Sequence, residues 1–366
     1  MQRIILHMDL DSFYAAVEEK RNPSIAGKPI VICVFSGRSS DSGAVATANY
    51  KARELGIKAG IPITAAKRLG KENAVFLPND INYYREVSER IMELIEDECD
   101  ALEQASIDEA YMDVTQKSRG IWENAQAIAE AIKQKIKEQE GLTCSIGIGP
   151  NKLVAKMASK AKKPDGLTIV REQEVAGFLE NLDIRKIHGI GGKTAETLNG
   201  LGIKTAKQLG NANALALEEK LGKNKARLLQ EKARGIDDSP VEQKQAQQIS
   251  RIGTLKEDTN DREIIFEKIR ELAQDMKRKM EKKKVFFRNV GIIAIDTGLE
   301  TQTRSETMAE TDDINIALSS ARRLLEKFLD ENPGKRLRRV GIRVSNLLYK
   351  KEQKSLGDFA QRYFMR

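Results

Sequence analysis

The chain opens on an alternating, β-branched stretch, Arg3 to Asp9, that reads as a strand delivering acidic residues at its end. Between Asn22 and Pro78 it is rich in Gly, Ala and Ser, with short apolar runs such as Pro29 to Phe35, and reads as a small inserted subdomain. From Ile81 to Cys99 the apolar positions Val87, Ile91, Leu94 and Ile95 recur at helical spacing. Glu103 to Thr115 then reads as strand, tight turn, strand, with the turn near Asp108 and Glu109. Ile121, Ala125, Ile128, Ile132 and Ile136 make one predicted helical face, closed by Gly141 before a strand from Leu142 to Ile148. With the insertion set aside the order is βαββαβ, an α+β pattern that predicts a ferredoxin-like sheet with helices on one face. In such a sheet the first strand and the central hairpin can lie side by side, so Asp9 can meet Asp108 and Glu109.

From Leu182 to about Pro240 the pattern changes to short helices with Gly-rich turns, and Val241 to Gln248 is a polar run of linker type. Residues 188 to 203, HGIGGKTAETLNGLGI, have the form of a helix-hairpin-helix element, whose Gly turn offers backbone N–H groups to a phosphate. A second βαββαβ pattern follows: strand Ile249 to Lys256, helix Arg262 to Lys283, strands Asn289 to Asp296 and Thr301 to Met308, helix Asp313 to Leu329, strand Arg338 to Ser345. Its central strands carry no catalytic carboxylates.

Composition narrows the chemistry. A chain of 366 residues with 40% hydrophobic residues is long and apolar enough for about two to four packed domains. Sixty-two Lys and Arg against 54 Asp and Glu give a formal charge of +8, which favours a polyanionic partner such as nucleic acid. No stretch approaches the roughly 20 apolar residues of a membrane span, and the start, MQRIILHMDLD, reaches acidic residues too soon for a signal peptide, so the expected location is the cytoplasm. Cys33, Cys99 and Cys144 stand far apart in apolar runs and read as buried thiols. With only His7 and His188 available, chemistry must lean on carboxylates, lysines and metals.

A strand-end acid, Asp9, and a turn pair, Asp108 and Glu109, suit oxygen-loving Mg²⁺ and can bridge two ions about 4 Å apart. Taken singly, the acidic dipeptides are more often solvated strand ends. The segments DLDSFYAAVEEKRNPSIAGKPIVICVFSGR, SGAVATANYKAREL, GIKAGIPI, ASIDEAYMDVT, SIGIGPNKLVAKMASKAKKPDG and HGIGGKTAETLNGLGI decide between these readings, because in this order they resemble the Y-family translesion DNA polymerases, nearest to the polymerase IV branch of archaea and bacteria. The resemblance covers the first two-thirds in detail and the rest by pattern. It implies a right hand: palm 1–12 and 80–168, fingers 13–79, a helical thumb 169–240 with the helix-hairpin-helix, linker 241–248, a βαββαβ little finger 249–348, and a C-terminal tail 349–366.

The same resemblance implies site roles. Asp9, Asp108 and Glu109, with the backbone carbonyl of Leu10, match the ligands of two Mg²⁺ ions, for which Mn²⁺ can substitute; Asp11 belongs to the motif without being assigned as a ligand. Tyr50, Arg53 and Lys163 match the groups that grip the triphosphate of a dNTP, with Lys162 as a substitute for Lys163. Tyr14 stands at the steric gate against a 2′-hydroxyl, although two neighbouring aromatics, Phe13 and Tyr14, would by themselves suggest core packing. Ala44, Ala46 and Gly60 match the small residues around the nascent pair, where ordinary tight packing is the alternative. Basic runs at 277–288 and 334–344 imply a sheet facing primer-template DNA rather than merely solvated faces. QKSLGDFA, residues 353 to 360, resembles a sliding-clamp peptide anchored by Gln353, Leu356 and Phe359, with Ala360 where a second aromatic is common. The function implied is distributive, low-fidelity, template-directed synthesis by a monomer. The rival is a non-catalytic DNA-binding protein that keeps the polymerase fold.

Overall fold

The computed structural model describes residues 2–349. Two compact units divide the backbone: one holds the residues up to 34 and 43–244, the other holds 35–42 and the chain from 245 on.

In the first unit, β1 (Ile5–Leu10) leads into α1 (Phe13–Arg21), and the inserted segment then forms β2 (Ile30–Phe35), β3 (Gly43–Ala48), α2 (Tyr50–Glu54), α3 (Ile63–Gly70) and β4 (Val75–Pro78). These three strands make a small sheet in the order β3-β2-β4 over the buried side chains of Val31, Cys33, Val45 and Ile63. Next come α4 (Ile81–Glu96), β5 (Ala101–Gln104), β6 (Glu109–Asp113), α5 (Trp122–Glu140), β7 (Cys144–Gly149), α6 (Lys152–Ser159) and β8 (Leu167–Ile169). The main sheet runs β5-β6-β1-β7-β8, so the first strand is central, with the hairpin strand β6 on one side and β7 on the other.

The alternation of β1 decides what each face does. Leu6, Met8 and Leu10 join Ile91, Ile95, Ala129, Ile132 and Ile136 of α4 and α5 in one core. Ile5, His7 and Asp9 point to the other face, where α6 lies; Ile5 packs there with Tyr111 and Ala155. That close approach requires glycine in β7: a Cβ on Gly147 would run into the Ala155 carbonyl and the Ser159 amide. Sequence periodicity anticipates α4 and α5 but not α6, nor α1 and β8. Ile121, expected on the buried face of α5, is instead its extended N-cap residue and 46% exposed, because the helix starts one residue later. The face is carried by Ala125, Ala129, Ile132 and Ile136.

Beyond β8 the helices α7 (Val175–Glu180), α8 (Gly192–Gly200), α9 (Ala206–Gly210), α10 (Ala214–Leu221) and α11 (Lys223–Ala233) enclose a separate core around Leu198, Leu209, Leu217 and Leu229. The polar run after them is not a free linker at its start. Val241 is buried, the Glu242 N–H donates to Glu103 Oε2, and Gln243 Oε1 accepts from the Gln104 N–H of β5.

The second unit contains β9 (Gln248–Thr259), α12 (Arg262–Lys283), β10 (Val285–Asp296), β11 (Thr301–Thr311), α13 (Ile314–Glu331), β12 (Leu337–Ser345) and β13 (Leu348–Tyr349). Asp261 caps α12 by accepting from the Glu263 and Ile264 N–H groups, and Asp313 caps α13 through the Asn315 N–H. The strand order is β11-β10-β12-β9, with β13 paired to the start of β10. Element order repeats that of the first unit; sheet order does not. Among the described residues no helix is long and apolar enough to cross a membrane. The three cysteines are free and buried.

Candidate active site

Register brings the acids together. Asp9 is the direct cross-strand partner of Glu109, and the Leu10 N–H donates to the Asp108 carbonyl at 2.9 Å, fastening the strand end to the β5–β6 turn. In that turn the Ser106 hydroxyl donates to Asp108 Oδ1 at 2.6 Å. Asp9 is nearly buried, and burial pushes its carboxyl up to about 6; the Lys163 ammonium opposes the rise, and the nearby charges of Glu109 and Asp108 add to it. Lys163 Nζ pairs directly with Asp9 Oδ1, and Lys156 Nζ with Glu109 Oε2 at 2.7 Å.

Asp11, left without an assigned ligand role, is committed elsewhere. It accepts from the Ser145 hydroxyl (2.8 Å), the Thr143 hydroxyl (3.1 Å) and the Asp165 N–H (2.8 Å). The Tyr50 hydroxyl reaches the same carboxylate at 3.4 Å, and burial followed by the Asp11 charge pushes the Tyr50 phenol up to about 12. Asp11 therefore ties Tyr50 to the loop that carries Lys163. Arg53 lies over the Tyr50 ring, its Cζ 5.1 Å from the centroid, and its Nε donates to the Ala48 carbonyl.

Tyr14 stacks on Tyr84 with centroids 4.4 Å apart and planes 19° apart. Tyr84 is fully buried and its hydroxyl donates to Glu18 Oε1 at 2.9 Å, so the Tyr14 ring has a fixed backing. Phe13 belongs to the core beside it. On β3, Ala44 and Ala46 share one face while Val45 is buried on the other. Gly60 has φ +88°, a conformation that L side chains rarely adopt, and its N–H donates to the Val45 carbonyl. Gln353, Leu356 and Phe359 lie outside the described residues.

Sequence reasoning missed the charged layer under the carboxylates. His7 is fully buried; its Nδ1 is 2.8 Å from Ser159 Oγ and its Nε2 3.3 Å from Lys156 Nζ. Burial, then Lys156, hold the imidazole well below its ordinary range, so the ring is neutral. Lys152 pairs with Glu103 at 2.5 Å in the same layer. The available signal was the four-residue spacing of Lys152 and Lys156 beside the glycines of β7, which marks one face of a helix against a sheet.

Among the described residues no three His, Cys, Asp or Glu side chains are grouped closely enough to hold a metal ion by themselves. The donor chemistry nevertheless fits a divalent cation. All donors are oxygens, and two of the carboxylates already attract an ammonium each.

Known proteins resemble this chain over nearly its whole length. The impB/mucB/samB family model matches residues 8–160, its C-terminal domain model 246–357, and the HHH motif model of the IMS family 172–203. The DNA polymerase IV of Methanosarcina acetivorans is 44% identical over 367 residues, covering 98% of this chain and 100% of that relative. The DNA polymerase IV of Nitrosopumilus maritimus is 40% identical over 363 residues, covering 98% and 99%. A solved Y-family DNA polymerase chimera of Dbh and Dpo4 superposes with a TM-score of 0.90 at 38% identity, covering 94% of this chain and 99% of its own. The chain belongs to the Y-family of DNA polymerases. It is a DNA-directed DNA polymerase of the polymerase IV branch, with the right-hand fold of palm, fingers, thumb and little finger. An insertion ternary complex of Dbh DNA polymerase, 38% identical with 94% of this chain and 99% of that one covered, matches with a TM-score of 0.70.

Proposed function

We propose that this Y-family polymerase extends primers through Asp9, Asp108 and Glu109, with the Leu10 carbonyl, as the ligands of two Mg²⁺ ions, and that Mn²⁺ can replace them. The observation that carries the reading is the pairing of Asp9 with Glu109 across β1 and β6, beside the turn holding Asp108. Metal ions bound there would favour ionisation of the primer 3′-hydroxyl and neutralise charge on the phosphates as the 3′-oxygen bonds to the α-phosphorus and pyrophosphate leaves. The protein's own contribution is placement. Lys163, exposed enough to leave Asp9, and Arg53 with Tyr50 on the α2 side bind triphosphate oxygens; the Asp11 network holds their supports in register.

Tyr14, backed by Tyr84, lies under the incoming sugar and excludes a 2′-hydroxyl. Ala44, Ala46 and Gly60 leave room at the nascent pair for a distorted template base. In the second unit Val340, Ile342 and Val344 face the helices, so Arg339 and Arg343 project from the opposite, open face of β12 and meet DNA phosphates. Arg336 and Arg338 of the same basic run are committed to Asp258 and contribute less. The polymerase works as a cytoplasmic monomer, and residues 349–366 tether it to a sliding clamp through Gln353, Leu356 and Phe359.

Single-nucleotide extension of a primer, with and without Mg²⁺, tests the reading. Extension that depends on the metal and copies the template supports it; DNA binding without extension would favour a non-catalytic protein. Removal of residues 350–366 should leave extension unchanged without clamp and abolish stimulation by it on a primed circle; equal stimulation would remove the tether.

A further inference from the structure

Of the two ammonium groups on the carboxylates, one is partly exposed and the other is boxed in. Lys163 is 21% exposed at its side chain, whereas Lys156 is 8% exposed and held from several sides. The hydrogen bonds under Lys156 close on themselves. The Ser159 hydroxyl donates to the Lys156 carbonyl at 2.9 Å, which spends its only proton. Ser159 Oγ can then only accept at His7, so the proton of the imidazole sits on Nδ1, 2.8 Å away. Nε2 is left with a lone pair, and it accepts from Lys156 Nζ at 3.3 Å. The ammonium donates its other identified hydrogen bond to Glu109 Oε2 at 2.7 Å, and the Tyr111 ring, 5.9 Å away, closes the box while packing edge-on against His7. Every member of this ring stands on β1, β6 or α6.

We propose that Lys156 is a positioning residue for the polymerase reaction: clamped by His7 and Ser159, it holds Glu109 Oε2, while Glu109 Oε1 lies 4.0 Å from His7 Nε2, and so fixes the direction in which this carboxylate meets a metal ion. The inference rests on the reading of Glu109 as a metal ligand. It gives the Glu109 carboxylate a fixed direction, and it places a positive charge behind the site. The charge weakens cation binding, while the fixed direction speeds the chemical step. Removing Lys156 therefore separates the two effects, which a merely structural lysine would not do.

The experiment uses the full chain with primer-template DNA, comparing wild type, Lys156→Met, Lys156→Arg and Asp108→Ala. Single-turnover insertion is followed across a Mg²⁺ titration, and Mn²⁺ binding is read by electron paramagnetic resonance. In Lys156→Met the insertion rate should fall about tenfold or more, and the loss should persist at saturating Mg²⁺. Mn²⁺ should bind at least as tightly as in wild type, and the dNTP concentration for half-maximal rate should stay within about twofold. Lys156→Arg, which keeps a donor and the charge, should recover part of the rate. A Lys156→Met rate equal to wild type would overturn the proposal, and so would a defect that saturating metal abolishes, since Lys156 would then govern affinity and not direction. If Lys156→Met does not fold, Ser159→Ala carries the test by freeing His7: a severalfold slower rate at saturating metal supports the clamp, and an unchanged rate overturns it. Asp108→Ala separates the two layers of inference. If it extends as wild type does, the ligand reading fails and this inference with it; if it is inactive while Lys156→Met matches wild type, only the role of Lys156 fails.

Discussion

Two aspartates at strand ends, Asp9 in the first unit and Asp296 in the second, are each 9% exposed, yet their environments push them in opposite directions. Asp296 closes the β10–β11 turn. It accepts from the Gly298 and Glu300 N–H groups and pairs with Lys335 at 3.1 Å; these bonds, that to Lys335 first, hold it below the usual carboxylate range. Asp9 has its proton affinity raised first by burial; the paired Lys163 ammonium opposes the rise, and the charges of Glu109 and Asp108 add to it. A satisfied carboxylate is a piece of architecture. A carboxylate buried beside two others, with its charge disfavoured, is where the proposed reading puts a cation.

The sheets explain why the acids gather in only one unit. Both have the element order βαββαβ. In the first, strand one lies inside the sheet against the second hairpin strand; in the second, β9 is an edge strand paired with β12, and the hairpin β10–β11 lies beyond β12. An acid at the end of β9 would have no hairpin turn beside it. The functional difference therefore lies in strand order as much as in residue identity.

The largest break in this comparison should come from Asp108→Ala, which removes a proposed ligand without touching a phosphate contact. Insertion should fall by about a thousandfold or more, with primer-template affinity unchanged in a binding titration; a loss under tenfold would take Asp108 out of the site. Next, Tyr14→Ala should narrow the preference for dNTP over rNTP by at least about tenfold, measured as the ratio of insertion efficiencies, because in the proposed reading the ring, stacked on Tyr84, lies under the sugar. An unchanged ratio would leave Tyr14 a packing residue.

Arg343→Ala or Arg339→Ala should weaken DNA binding severalfold and flatten its logarithmic salt dependence by about one unit each. Arg338→Ala should do less to the slope, since Asp258 already holds that guanidinium. The smallest effect concerns stability. The folded carboxyl of Asp9, near 6, lies above its ordinary 3.8, so in this window the folded state binds more protons than the unfolded state. Wild-type stability without metal should accordingly fall as pH rises from about 4 through 6. Asp9→Asn lacks this penalty and should gain about 1 to 3 kcal/mol relative to wild type across that range, read by denaturant unfolding. A constant gap between the two proteins would show that Asp9 titrates normally.

Much of this was legible in the residues, and what was not has physical reasons. Helix α12 begins and ends where its pattern predicted, at Arg262 and Lys283, because Asp261 is a strong cap and the apolar face is long. Ile121 misled because periodicity counts an apolar residue as buried even where it stands just outside the helix. The strand order of the second unit was hidden, since identical element orders are compatible with different sheets. Proximity of Asp9 to the turn at Asp108 followed from the ferredoxin-like expectation, but the charged layer of His7, Lys152 and Lys156 did not. Lysines read as solvated until a helix is seen lying on glycines of the sheet.

The most direct test of the central contrast puts Asp9→Ala and Asp296→Ala through the same two assays, thermal unfolding and single-nucleotide insertion with saturating Mg²⁺. Asp9→Ala should abolish insertion while leaving the melting temperature equal to or above that of wild type. Asp296→Ala should lower the melting temperature by a few degrees and retain insertion per folded molecule. Insertion that survives the loss of Asp9, or that disappears in folded Asp296→Ala, would contradict the account.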